Sequence, residues 1–311
     1  MASLLVSQRN FESHATPPGH PERADRIRVI EAALAAPEFS ELKREDAPEG
    51  DLTLAELVHE PGYLHRLAMI RPAEGIAQID EDTFISAGSM DAAATALGAG
   101  LRALEAVVLG EVDNAFCAVR PPGHHAERAR PMGFCLINTI AIVAREAQRK
   151  FGAERVAIVD FDVHHGNGTE DIFRDDASVF YGSTHQMPLF PGTGAASEHG
   201  AGNIFNVPLR AHTGGDEMRE AYDAHVLPAL DDFRPDFLLI SAGFDADHRD
   251  PLAQLNWYPD DFAWVTRRLM EVADRRCGGR IVSMLEGGYD RGGLATGVAA
   301  HVGALMGMTG G

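Results

Sequence analysis

Cysteine is scarce in this chain. Three occur in 311 residues, Cys117, Cys135 and Cys277, far apart and without a CxxC spacing. Neither a disulfide framework nor a thiolate metal site is expected, and a reducing compartment fits. Long hydrophobic runs are missing too: no window approaches 18 apolar residues, and the apolar run in MASLLVSQRN is too short for the core of a signal peptide. No membrane contact is expected, and the expected location is cytoplasmic. Positive charge is short, with 27 Lys and Arg against 46 Asp and Glu and a net charge of -19. That balance disfavours nucleic-acid phosphates and anionic membranes and favours cationic partners. No Ser- or Pro-rich linker and no internal repeat divides the sequence, so one domain over 1–311 is expected, as a monomer or a homo-oligomer.

What is present is an alternation. Short β-branched runs at 114–120, 155–162, 178–185, 236–245 and 280–289 predict buried strands. Stretches with apolar residues at helical spacing, at 89–110, 137–152, 217–233, 260–276 and 294–307, predict helices between them. This predicts an α/β fold, a mostly parallel sheet with helices on both faces. Long loops are expected at 10–22, 71–90, 185–203 and 246–258, and loops of that length in a compact domain tend to be functional.

Four of the predicted strands run straight into polar clusters: RPPGHH with His124 and His125, DFDVHHGNG, SAGFDADHRD with Asp245, and LEGGYD with Tyr289. Ligands of open α/β sheets bind at the carboxyl ends of strands, so the clusters are expected on one rim. A tandem His pair alone is commonly a surface turn, an Asp after SAGF commonly a helix cap, and EGGY commonly a turn. DFDVHHGNG is more specific. Residues i, i+2 and i+4 of an extended chain share a face, which puts Asp160, Asp162 and His164 in one row. Two carboxylates and an imidazole at the end of a buried strand ask for a cation. Asp162 and His164, with Asp245 from another strand, would make an open oxygen, oxygen, nitrogen set suited to Zn²⁺, with Fe²⁺ or Co²⁺ as alternatives.

In order along the chain, RPPGHH, DFDVHHGNGT, FPGTG, SAGFDA and LEGGYD resemble the motifs of the histone deacetylase and acetylpolyamine amidohydrolase superfamily, in its class II-like, bacterial form. The resemblance implies one three-layer α/β domain of the arginase and deacetylase type, with a central sheet of about eight strands. It implies a zinc ion on Asp162, His164 and Asp245. A structural K⁺ is implied beside it, involving Asp160, Ser183 and Thr184 with Asp162 and His164. His125 is implied as the general base and later acid, and His124 as stabilising developing charge with Asp160 behind it. Tyr289 is implied as the donor to the tetrahedral oxyanion. Gly133, Phe134, Phe190, Leu252 and Asp80 match the substrate tunnel, and Arg23 an arginine near the product exit. The implied activity is hydrolysis of N-ε-acyl-lysine in peptides or proteins. The alternative is an acetylated polyamine or another small N-acetyl amine, and Leu252 at the gatekeeper position favours the peptide.

Asn167 stands where many members of that superfamily carry Asp. His125 is therefore expected to lack a charged partner and to stay a free base near neutral pH. Two further readings are weaker. A binuclear manganese ureohydrolase needs an Asp where Gly166 stands, and an inactive acyl-lysine binding module would have lost a ligand or the tyrosine, neither of which is lost here.

Overall fold

The computed structural model describes residues 1–308. Ten strands are present among them: β1 (Ser3–Ser7), β2 (Lys43–Asp46), β3 (Ile76–Gln78), β4 (Phe84–Ser86), β5 (Asn114–Ala118), β6 (Val156–Asp160), β7 (Val179–Gln186), β8 (Ile204–Leu209), β9 (Phe237–Ala242) and β10 (Ile281–Leu285). Eight of them form one sheet in the order β2-β1-β5-β10-β9-β6-β7-β8, and β3 pairs with β4 in a small hairpin. Every pairing in the large sheet is parallel. Nine helices accompany them: α1 (Asp25–Leu34), α2 (Tyr63–Ile70), α3 (Ser89–Val108), α4 (Thr139–Phe151), α5 (Asn167–Phe173), α6 (Gly215–Ala221), α7 (Leu227–Phe233), α8 (Pro259–Cys277) and α9 (Arg291–Leu305). The fold is the α/β domain with a parallel sheet that the alternation predicts, and the sheet has the eight strands that the resemblance implies.

The central strands are apolar because both faces are covered. Each residue of β5, β6, β9 and β10 is buried. One apolar cluster joins Leu5, Phe116, Val159 and Ile240 to α8 and α9, and another joins Leu4, Cys117, Ile158 and Leu239 to α3 and α4. Alternate residues of one strand thus serve opposite layers. Helix α4 shows why the local sequence folds as it does: the Asn138 side chain accepts from Ala141 N at one end, and Gly152 closes the other in the left-handed conformation. No helix among the described residues is long and apolar enough to cross a membrane.

Three strands of the large sheet, both strands of the hairpin and three helices lie outside the runs picked from the sequence. The SLLVS segment, too short to stand out, is β1 and sits between β2 and β5. β2 is KRED, polar throughout because it closes the sheet edge, where charge blocks further pairing. β8, at the opposite edge, tolerates Pro208 because an edge strand has free ladder positions. Helices α1, α2 and α5 are 10, 8 and 7 residues long, too short for a strong periodic signal. The predicted loop at 71–90 holds the β3–β4 hairpin.

Candidate active site

Four adjacent strands supply the site. In the order β5, β10, β9, β6 they end on one rim, and the segments that follow carry His124 and His125, Tyr289, Asp245, and Asp162 with His164. Strands far apart in sequence become neighbours, so their polar ends meet.

Asp162, His164 and Asp245 are buried, and one ligand atom from each lies within 4.8 Å of the others. His164 Nδ1 is 3.1 Å from Asp162 Oδ1 and 3.1 Å from Asp245 Oδ2. A single imidazole nitrogen carries one proton at most, so it can answer only one of two carboxylates. A divalent cation answers both, and the donor set fits one. The backbone helps: Gly287 N donates to Asp162 Oδ2 at 2.7 Å, and Val163 N to Asp245 Oδ1 at 2.9 Å. A Cβ at residue 287 would stand 2.1 Å from Asp245 Oδ2, so this approach requires glycine. Burial works to raise the Asp162 carboxyl, but His124 and His164 outweigh it and hold it below the ordinary range.

The tandem histidines meet different partners. His124 Nδ1 donates to Asp160 Oδ2 at 3.0 Å. Burial alone would lower this imidazole, yet Asp160, Asp162 and Glu286 lift it to about 10. His125 Nδ1 lies 2.8 Å from Asn167 Oδ1. Burial, with His124 and His164 in support, pushes His125 well below its ordinary value. The lack of a charged partner at Asn167 was legible in the sequence, and the geometry places the amide against the ring.

His125 and His164 face a cavity of about 290 Å³ whose walls include Phe134, Leu189, Phe190 and Leu252, with Tyr289 and Asp82 also lining it. The Tyr289 ring meets Phe134 edge to face at 5.7 Å and carries the Arg26 guanidinium 5.0 Å from its centroid. Burial raises the Tyr289 phenol well above its ordinary value, so it remains a hydrogen-bond donor.

The histone deacetylase domain family matches residues 20–305 of this chain. The chain belongs to the histone deacetylase family. It is 38% identical to a probable deacetylase of Archaeoglobus fulgidus over 93% of this chain and 82% of that protein. It is 37% identical to the histone deacetylase-like amidohydrolase of Pseudomonas aeruginosa over 87% of this chain and 73% of that protein. The solved HDA15 HD domain superposes with a TM-score of 0.91 at 35% identity, covering 100% of this chain and 91% of that chain. The protein is accordingly a hydrolase of amide bonds, of the deacetylase fold and family.

Within this deacetylase, His124, His125, Asp160, Asp162, His164, Asp245 and Tyr289 share one site, and Gly133, Phe134, Phe190 and Leu252 line its cavity. Asp80 does not line it. Its carboxylate is engaged by Thr83 N at 2.7 Å and Asp82 N at 3.2 Å in a turn, and Asp82 takes the wall position. Arg23 is corrected as well: its side chain is 42% exposed, next to Asp25. The arginine that reaches the tyrosine loop is Arg26, three residues on in the first turn of α1, which is buried and donates to Gly288 O at 2.7 Å and to Glu286 O. Asp160 and Ser183 are paired across β6 and β7, with the Ser183 hydroxyl on His185 and the Thr184 hydroxyl on Tyr222.

Besides Arg26 and Leu189, three carboxylates were missed. Glu286 is buried and accepts from Gly123 N at 2.7 Å and His124 N at 3.1 Å, tying the histidine segment to the tyrosine segment. Asp250 accepts from Tyr289 N at 2.7 Å and Leu252 N at 2.9 Å, joining two residues that line the cavity. Glu127 receives the amide nitrogen of Asn167 at 2.7 Å. Glu286 and Asp250 stand inside the quoted segments LEGGYD and SAGFDADHRD, and Glu127 two residues after the histidine pair, so their place in the motifs was the signal.

Proposed function

We propose that the protein is a zinc-dependent deacetylase acting on N-ε-acyl-lysine of peptides or proteins. What carries the reading is a neutral buried imidazole, a protonated tyrosine and an Asp-His-Asp set facing one narrow apolar cavity. When held by Asp162, His164 and Asp245, the divalent cation polarises an amide carbonyl and acidifies the attacking water.

His125 takes a proton from the water on Nε2 and returns it to the leaving amine. His124, kept cationic by Asp160, stabilises the negative charge that develops beside it. Tyr289 donates its O–H to the oxyanion. Phe134, Phe190 and Leu252 enclose the aliphatic chain of the substrate and exclude water. A K⁺ held near Asp160, Ser183 and Thr184 is part of the same proposal, as is a cytoplasmic setting, which the three buried, unpaired cysteines favour.

A second reading has its own support. Asp82, an acidic residue, lines the cavity, which suits a polyamine cation as well as a peptide N–H. The test is a deacylation screen of acetyl-lysine peptides, longer acyl-lysines and N-acetylated polyamines with purified, metal-quantified protein. Peptide turnover with Tyr289→Phe reduced on the order of 10² to 10³-fold supports the proposal. Far better turnover of free acetylpolyamines replaces it with the second reading. Leu252→Glu sharpens the choice, raising kcat/KM for acetylspermidine by roughly 1 to 3 kcal/mol without helping the peptide. Two tightly bound Mn²⁺ per chain would overturn the mononuclear scheme.

A further inference from the structure

Glu127 lies outside the cavity and touches none of the groups given a role above except Asn167. Its Oε1 takes the Asn167 Nδ2 donor at 2.7 Å, and Met132 Sδ lies 3.2 Å from the same nitrogen. Arg130 stands 3.3 Å away on the solvent side. An ionised carboxylate only accepts hydrogen bonds. It therefore fixes which end of the Asn167 amide faces it, and the nitrogen must point to Glu127. The carbonyl oxygen must then point to His125 Nδ1, 2.8 Å away. An oxygen there requires the proton on Nδ1, which leaves the lone pair on Nε2.

We propose that Glu127 is a positioning residue that sets the tautomer of His125 through the Asn167 amide. Asn by itself does not perform this task. An amide turned over presents N–H₂ to the imidazole, and Nδ1 becomes an acceptor while Nε2 carries the proton. That form of His125 cannot take a proton from water at Nε2. Where an Asp at this position would fix the tautomer directly, the chain uses a neutral amide aligned by a carboxylate one residue further out. The ring stays tautomerically fixed without a charge against it. The inference rests on the general-base role proposed for His125, but its central claim is a proton position that can be read without turnover.

The test uses full-length, metal-loaded protein with ¹⁵N-labelled histidine, the His125 signal being assigned by its loss in His125→Gln. In the wild type, His125 carries its proton on Nδ1. Glu127→Gln, nearly isosteric on a side chain that is 27% exposed, presents either a donor or an acceptor, and the His125 signal moves to a mixture of tautomers. Glu127→Ala gives the same shift without a competing donor. On an acetyl-lysine peptide, kcat for Glu127→Gln falls between about 10-fold and 10⁴-fold with KM unchanged, the range spanned by a partly and a wholly misplaced base tautomer. Added to Asn167→Asp, the same change has the opposite sign. The introduced carboxylate fixes the tautomer alone and faces Glu127 as a like charge, so Glu127→Gln then raises turnover. A His125 that keeps Nδ1–H in both Glu127 variants overturns the proposal, and so does a loss of equal size in the wild-type and Asn167→Asp backgrounds. A wild-type protein that hydrolyses no acylated amine defeats the functional reading, while the tautomer measurement still decides this one.

Discussion

His124 and His125 are neighbours in sequence, both buried, with ring centroids 4.0 Å apart, yet their protonation is driven in opposite directions. His124 is lifted to about 10 and His125 pushed well below its ordinary value. A third imidazole separates the causes. His301 is buried between α8, α9 and β10 with hydroxyls on both nitrogens, Thr266 Oγ1 at 2.6 Å and Ser283 Oγ at 2.9 Å. With no carboxylate against it, burial takes it down to about 3. Desolvation is thus common to all three, and the carboxylates around His124 reverse it. One strand end therefore places a cationic and a neutral imidazole side by side, the pair on which the proposed mechanism rests.

The sharpest way to break this comparison is to remove one ring at a time. His125→Ala should lower kcat on an acetyl-lysine peptide about 10² to 10⁴-fold, with bound metal unchanged on elemental analysis. His124→Ala should cost less, because it removes charge stabilisation and leaves the base. Equal losses would mean that the two rings share one role.

Next in size is Asp160→Asn, which takes away the carboxylate nearest His124. His124 should then lose its proton at lower pH, so the alkaline limb of the kcat profile should move down. Asn167→Asp runs the experiment in reverse on His125. A carboxylate against its Nδ1 raises its pKa, so the acid limb of kcat/KM should move to higher pH, the base being active only when unprotonated. An unmoved limb would show that His125 is not the group titrating there.

The smallest effect concerns stability through His301. Its folded pKa lies below the ordinary value, so the unfolded chain binds the proton first as pH falls. The contribution is fully present above about pH 6.5 and is lost as pH drops toward 3, by at most about 1.4 kcal/mol per pH unit. Denaturant unfolding across that window should show the loss, and His301→Gln should flatten it. His59 and His185, lowered to about 4 and about 3 by burial, add to the same slope.

Much of the site was legible because catalysis confines it to short, ordered motifs. Asp160, Asp162 and His164 fall at alternate positions of one extended segment, and Asn167 follows within the same motif. Residues that act through hydrogen bonds to backbone groups left little trace. Asp250 and Glu286 hold Tyr289 N and His124 N; both stand inside quoted motifs, but the backbone groups they bind lie on other segments and leave no mark in the sequence beside them. Asp80 and Asp82 are two residues apart on one turn, and composition cannot tell the carboxylate that binds backbone N–H groups from the one that faces the cavity. Arg23 precedes α1 and Arg26 lies in its first turn, so their burial depended on where this short helix begins, which its ten residues do not mark.

The sequence by itself determined which chemistry could be present, because strand runs that end in His, Asp and Tyr are local features encoded within a few residues. It also determined the parallel sheet, since apolar runs alternating with amphipathic helices have few other ways to bury both faces. Only the tertiary structure decided which strand ends became neighbours. The order β5-β10-β9-β6 places Tyr289 and Asp245 between the histidine pair and the Asp162–His164 row. The tertiary structure also decided the fate of each buried charge, because a pKa depends on which carboxylate, amide or hydroxyl packing brings within about 3 Å, and those partners lie 36 residues away for His124 and 42 for His125.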